Sequence, residues 1–267
     1  MAFILKFKAF PEPDGPLAYA PVPWDSDLFG FPFYELNCGQ TPPEVLDQHL
    51  AAWLANLPCE QPCLVLARLN PDQVATAAAL ARQGFYPVET MLDFELNLAR
   101  LQIIVKHQAT QYRFRNAIPA DLSAVRAIAL RAYATDRFHL DPHLPSAKAD
   151  RRYAQWVENS FHAQEPIFVL EDTKQAQVVG FIQCRDKAPQ VLDVCLGAVR
   201  PEIQNSGAGV LMYQQLFVEH RARGYKKAMT YVSCNNIRGI KLTLRYGFTV
   251  SKATLCMHWF RAAGNQS

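Results

Sequence analysis

A chain of 267 residues, half of them hydrophobic, has the material for one large or two small cores and is not a disordered sequence. Its 27 basic and 24 acidic residues nearly cancel to +3, and no basic run interleaves with aromatics, so nucleic acid is not an expected partner. No apolar run is long enough to span a bilayer, so no membrane partner is expected either.

Met1 to Phe10 is apolar but broken by two lysines and followed by no small-residue cleavage site, and it reads as a strand. Five prolines from Pro11 to Pro23 make Glu12 to Pro23 a loop. Trp24 to Gly30 follows, then a strand from Phe33 to Cys38. Pro43 to Leu57 reads as a helix with proline near its first turn, and Cys63 to Leu69 as a buried strand. A second helix begins at Asn70-Pro71-Asp72 and stops at Gly84. Phe85 to Leu98 is a long strand with Phe94, Leu96 and Leu98 on one face. Seven cysteines, an odd number, lie mostly in apolar strand patterns, which is the signature of free thiols in a cytosolic chain. Cys59 and Cys63 lack the second half of a zinc site, so no metal is expected.

Arg100 to Gln111 is more polar and reads as a linker between domains at 1–105 and 110–267. Beyond it come a strand at Tyr112–Ala117 and a helix at Pro119–Ala134 with Leu122, Val125, Ile128 and Ala129 as its buried stripe. A loop at Arg137–Pro145 leads to a helix at Ala147–Phe161, with Tyr153 and Trp156 on its core side. Strands are expected at Ile167–Glu171, Val178–Cys184, Val191–Val199 and Lys227–Cys234, with a last pair of strands between Phe248 and Phe260. Strands alternating with helices make this a mixed α/β sequence.

The densest signal is the passage from Val191–Val199 through Pro201 and Gln204-Asn205-Ser206-Gly207-Ala208-Gly209 into a helix with Val210, Tyr213 and Phe217 at helical spacing. Strand, glycine turn and helix start bring several free backbone N–H groups to one point. The orphan donors and the helix dipole both favour an anion there, and the glycines let a phosphate approach the backbone. It is not a P-loop, because no Gly-Lys-Ser/Thr follows, and it lacks the third glycine of a dinucleotide fingerprint.

Val199, Pro201, Gln204, Gly207 and Gly209, followed after one helix and one strand by Asn236, Gly239, Leu242, Thr243, Gly247 and Phe248, resemble the two motifs of the GCN5-related N-acetyltransferase superfamily. The resemblance covers roughly Tyr112 to Phe260. It implies the acyl-CoA N-acyltransferase fold. Leu80 to Phe85 repeats the helix–Gly–Phe–strand form of Leu242 to Phe248 without a glycine turn before it, which points to a partial, degenerate copy at the N-terminus. Trp24 to Gly30, Asp136 to Asp141 and Tyr153-x-x-Trp156 further resemble the TDP-fucosamine acetyltransferase group, which implies an amine on a nucleotide-activated sugar as acceptor.

The resemblance implies acetyl-CoA as cofactor. Its diphosphate would lie on the amides of Gln204, Asn205, Ser206, Gly207, Ala208, Gly209 and Val210, its pantetheine arm would pair near Val199, and Asn236 would be a further contact. Gly197 matches the oxyanion donor. Asp193 stands where some members carry a glutamate base, and being shorter it is expected to act through a water. Thr243 stands where the family commonly has a tyrosine acid; an aliphatic hydroxyl is a far weaker acid than a phenol of pKa about 10, so Tyr246, one turn on, is the substitute to weigh. Arg137, His139 and Asp141 are the acceptor-site candidates, with His143 beside them. The expected activity is acetyl transfer by direct attack of an amine in a ternary complex. The alternatives are a peptide N-acetyltransferase and a non-catalytic acyl-CoA-binding module. Unpaired edge strands in such a sheet offer a route to a homodimer.

Overall fold

The computed structural model describes residues 5–11, 15–39, 41–57, 60–105 and 111–264. In chain order the elements are β1 (Lys8–Phe10), β2 (Leu17–Pro21), α1 (Pro23–Phe29), β3 (Phe33–Asn37), α2 (Pro43–Ala55), β4 (Cys63–Leu69), α3 (Val74–Arg82) and β5 (Tyr86–Asn97). Then follow β6 (Tyr112–Asn116), α4 (Leu122–Ala132), α5 (Arg137–Leu140), α6 (Ser146–His162), β7 (Ile167–Asp172), β8 (Gln177–Ala188), β9 (Val191–Val199), α7 (Ala208–Ala222), β10 (Lys227–Ser233), α8 (Ile237–Arg245) and β11 (Thr249–Arg261).

The chain forms two compact units that do not follow a single cut near residue 105. The larger holds Leu92–His139 and Ala149–Lys252; the smaller holds Ala2–Met91, Leu140–Lys148 and Ala253–Ser267. β5 and β11 therefore each contribute residues to both.

In the larger unit the strands run β5-β10-β9-β8-β7-β6. β6 to β9 are successive antiparallel neighbours, and β9 and β10 are parallel, joined by the crossover helix α7. One face packs Leu211, Met212, Leu216 and Phe217 of α7 against Leu192, Val194, Phe168 and Ala228. The other packs Val125, Ile128 and Ala129 of α4 and Tyr153 and Val157 of α6 against Val169, Phe181 and Leu196. The stripe expected on α4 is thus buried at three of its four positions, Leu122 being half-exposed. Phe94, Leu96 and Leu98 are buried together, as the alternation in β5 requires.

In the smaller unit β1-β2-β3 are antiparallel neighbours, β3 and β4 are parallel with α2 as crossover, and β4 pairs antiparallel with the end of β11 from Leu69↔Leu255 to Cys63↔Arg261. Leu46, Leu50 and Leu54 of α2 and Ala79 and Leu80 of α3 pack on Val65, Ala67 and Met257. The series β3–α2–β4–α3–Gly84–Phe85–β5 matches β9–α7–β10–α8–Gly247–Phe248–β11 element for element. Gly84 and Gly247 close their helices at φ +88 and +89, a left-handed conformation that favours glycine, and Phe85 and Phe248 are both buried.

Three expectations are corrected. The proline-rich Glu12–Pro23 segment is not all loop: β2 occupies Leu17–Pro21, with its one proline at the strand's end, where a missing donor is tolerated. The last strand pair is a single strand of 13 residues, since no glycine, proline or asparagine interrupts 249–261. The Arg137–Pro145 loop holds a turn of helix, started by Asp136 Oδ1 accepting the Phe138 N–H at 2.9 Å. Residues 1–4 of the first expected strand, 106–110 of the linker, and Cys59 lie outside the described residues. The other six cysteines are free. Among the described residues no helix is long and apolar enough to cross a membrane, and no cluster of histidine, cysteine and acidic residues could hold a metal ion.

Candidate active site

The parallel pairing of β9 and β10 runs from Val191↔Lys227 to Val194↔Thr230 and stops, although both strands continue. The Thr230 hydroxyl takes the Val194 carbonyl at 3.1 Å, at the point where the ladder ends. β8 remains paired with β9 out to Gly180↔Val199. Residues 195–199 thus have one satisfied edge and one that faces a gap. The Arg200 N–H donates to Val179 on β8 at 2.8 Å, so by strand alternation Gly197 and Val199 aim their N–H and C=O groups the other way, into the gap.

A bulge sets which side chains flank that gap. Gln183 opposes Leu196 and Cys184 opposes Val194, which leaves Cys195 as the extra residue on β9. The strand turns over there: Leu192 and Val194 belong to the α7 core, Leu196 to the α4–α6 core. Asp193 therefore projects toward the α4–α6 side. A Cβ on Gly197 would lie on the α7 side, 2.1 Å from the Tyr213 hydroxyl, so that position has room only for glycine.

At the end of β9, Pro201–Ile203 form a 3₁₀ turn, and Asn205 and Gly207 take left-handed φ of 70 and 87. Ser206 Oγ accepts the Ala208 N–H at 3.2 Å, and the first intrahelical bond of α7 is Leu211 N–H to Gly207 C=O at 2.9 Å. The amides of Gly209 and Val210 precede that bond and have no intrahelical partner. Gln204 to Gly207 are exposed. A Cβ on Gly209 would meet only Val199 Cγ1, at 3.8 Å, so the fold itself does not demand glycine there. A group seated against the backbone would, and the free amides with the positive end of a 15-residue helix have the donors that an anion needs. Arg238 Nη1 donates to Gln204 Oε1 at 2.9 Å and brings a guanidinium to the rim. Sequence reasoning missed Arg238, because only the fold carries α8 to this turn.

The expected acids are engaged elsewhere. Thr243 Oγ1 donates to the Gly239 carbonyl at 2.8 Å, one turn back in its own helix. Tyr246 is 1 % exposed, packs edge-on against Phe217 and donates its hydroxyl to the Val210 carbonyl. Asn236 is the N-cap of α8, its Oδ1 accepting the Gly239 N–H at 2.9 Å. A Cβ on Gly239 would stand 2.8 Å from the Asn236 amide nitrogen, so the cap itself favours glycine there. Asp193 is fully buried; Oδ2 accepts from Arg185 Nε at 3.0 Å, and Oδ1 has no hydrogen-bond partner. That oxygen keeps a lone pair for a proton. Burial, followed by the Asp193 charge, pushes the nearby Tyr231 phenol well up.

The acceptor candidates separate. Arg137 and His139 belong to the larger unit, Asp141 and His143 to the smaller. Arg137 lies over the Phe138 ring at 4.5 Å. His139 is held between Asp136 at 2.6 Å and Asp150 at 3.1 Å; burial opposes its charge, but the two carboxylates outweigh burial and raise its pKa. Asp141 accepts from His258 Nδ1 at 2.6 Å, the Tyr86 hydroxyl at 3.0 Å and the His143 N–H at 2.8 Å. Burial works against its charge, yet these donors, His258 foremost, hold its carboxyl below the usual range. His139 and Asp141 thus have both ring nitrogens and both carboxylate oxygens committed, which makes them framework for the loop. Tyr86 and His258, the partners of Asp141, carry no spacing signal in the sequence.

Residues 128–248 match the Acetyltransferase (GNAT) family. A 141-residue stretch is 22 % identical to the spore coat polysaccharide biosynthesis protein SpsD of Bacillus subtilis (strain 168); the match covers 52 % of this chain and 48 % of that protein, so the chain spans about half the length of this curated relative. A GCN5-related N-acetyltransferase from Sphaerobacter thermophilus superposes with a TM-score of 0.68 at 13 % identity over 96 % of this chain and 80 % of its own. A tandem GNAT protein from the clavulanic acid biosynthesis pathway gives 0.56 at 13 % identity, over 87 % and 76 %. At these identities the structural likeness establishes the mixed α/β acyl-CoA N-acyltransferase fold.

Proposed function

Because residues 128–248 match the GNAT acetyltransferase family, we propose that this chain is an N-acetyltransferase that moves the acetyl group of acetyl-CoA onto the primary amine of a small acceptor, a nucleotide-activated amino sugar, by direct attack in a ternary complex. One observation carries the reading: the β9–β10 ladder ends at Val194/Thr230 just before a helix start whose Gly209 and Val210 amides are unengaged, the amides of Gln204, Ser206 and Ala208 being used inside the turn itself. Acetyl-CoA supplies the activated acyl group. The chain's part is to seat the diphosphate on residues 204–210, line the pantetheine path with the open edge at Val199, present the Gly197 amide to the acyl oxygen, and accept the amine's proton at Asp193, directly or through a water. The carbohydrate pathway named for the Bacillus relative supports the amino-sugar acceptor.

Calorimetry with coenzyme A, then a panel of amines with acetyl-CoA read by thiol release, tests this. Sugar nucleotides bearing a free amine are expected to turn over fastest. Faster turnover of peptide amines would replace the acceptor class. The engaged hydroxyls of Thr243 and Tyr246 favour a second reading, an acyl-CoA-binding module without turnover; binding of acetyl-CoA with no thiol release from any amine would select it.

The matching element series and the two left-handed glycines support residues 1–105 as a partial copy of the domain at 110–267. Pro42 and Pro43 at the start of α2, which remove two amides where α7 has Gly207 and Ala208, support a copy without a phosphate seat. Six free cysteines support a cytoplasmic site of action.

A further inference from the structure

Resting on the acetyl-transfer reading, we propose that Tyr133 is a second hydrogen-bond donor, beside the Gly197 amide, to the acyl oxygen of the thioester. Tyr133 follows α4 directly, and its ring stacks on Tyr153 of α6 at 4.1 Å. Its hydroxyl is fully buried and its proton finds no acceptor in the protein, while the Gly197 amide lies beside it, placed to act on the phenol oxygen as a donor. That amide is one of the groups directed into the gap where β9 and β10 part. The segment after Tyr133 is pinned across the other side, since Ser233 Oγ at the end of β10 donates to the Thr135 carbonyl at 2.9 Å. The phenol is thus held in place by stacking and by a strand-end tether, with a donor that nothing in the protein uses.

A buried hydroxyl without a partner is a cost that the fold carries until an acceptor arrives. Burial, followed by the neighbouring Tyr213 and Tyr153 hydroxyls, keeps this phenol protonated far above neutral pH, so it remains a donor. When an amine nitrogen bonds to the acyl carbon, the carbonyl π pair moves onto oxygen, where Gly197 N–H and Tyr133 O–H meet it. The pair returns as the C–S bond breaks, the sulfur leaves as thiolate, and the amine's proton passes to Asp193 and then to solvent, from which the thiolate is protonated. A thiol of ordinary pKa about 8.5 leaves without an acid, which accords with Thr243 and Tyr246 being engaged elsewhere.

The test is Tyr133→Phe, which keeps the stacked ring. Bound acetyl-CoA labelled with ¹³C at the carbonyl, with no amine present, is expected to show a thioester stretch lowered in the wild type and returned toward the free value in the variant. Affinity for coenzyme A by calorimetry is expected within about twofold of wild type, kcat lower by roughly 10²-fold, as for loss of one oxyanion donor, and Tm little changed, because the stacked ring stays in place. An unchanged stretch, or kcat within threefold of wild type, overturns the proposal. Should the variant misfold, 3-fluorotyrosine at position 133, a stronger donor, is expected to lower the stretch further, and a stretch that does not move overturns it equally. A wild type that binds no coenzyme A instead overturns the acetyl-transfer reading, and the proposal with it.

Discussion

Gly209→Val separates the phosphate seat from the fold. Glycine in a helix costs about 1 kcal/mol relative to alanine and valine about 0.6, so the replacement is neutral to slightly stabilising by propensity. The new side chain has space, since a Cβ at 209 meets nothing nearer than Val199 Cγ1 at 3.8 Å. Its methyls stand where a phosphate must come to reach the Gly209 and Val210 amides. Losing one hydrogen bond to a charged group costs about 1.5–3 kcal/mol, a factor of roughly 10 to 150 in Kd. The expected result is an unchanged melting curve with calorimetric affinity for coenzyme A down by that factor. Equal affinity in wild type and a folded variant would refute the seat at 204–210.

Asp193→Asn is expected to lower turnover at least tenfold, by analogy with the roughly 10²–10⁴ that a positioned base contributes, while coenzyme A affinity holds; undiminished turnover removes Asp193 as base. Arg238→Ala is expected to weaken coenzyme A severalfold and to flatten the salt dependence of binding, measured by calorimetry at two ionic strengths. Asp141→Ala breaks a buried pair with His258 and is expected to cost about 3–5 kcal/mol, on the order of 10 °C in Tm. His139 has a raised folded pKa, so its stabilisation is full below the unfolded value of about 6.5 and disappears as pH rises through the folded value. His139→Gln is therefore expected to lower Tm at pH 5.5 and to converge on wild type at alkaline pH; a constant gap would show that the charge is not involved.

The glycine turn was legible because its signal is local. Pro201, Gly207 and Gly209 suggest a strand end, a left-handed residue and a close approach within nine positions, and the structure shows a 3₁₀ turn, φ of 87 and no contact on a Cβ at 209 nearer than 3.8 Å. The surroundings of the tyrosine hydroxyls were not, because a tyrosine's role depends on what its oxygen reaches. Tyr246 reaches the Val210 carbonyl 36 positions away, and Tyr133 reaches the neighbourhood of Gly197 only because α4 packs on β9. The bulge at Cys195 was equally silent: the run Val191–Val199 reads as an uninterrupted strand, and only the register against β8 shows where it turns over. Strand β2 was hidden by composition, since the prolines around it suggested a loop while its pairing with β3 is long-range.

The interleaving of β5 and β11 has a consequence for how the gene can be cut. Residues 92–97 of β5 lie beside β10 in the larger unit, and residues 255–261 of β11 lie against β4 in the smaller. A polypeptide ending near residue 105 would leave β4 with a bare row of amides and carbonyls, and one starting near 110 would do the same to β10. Each fragment would expose a template for unwanted pairing, so expressed alone both are expected to aggregate, and expressed together each would supply the strand that closes the other.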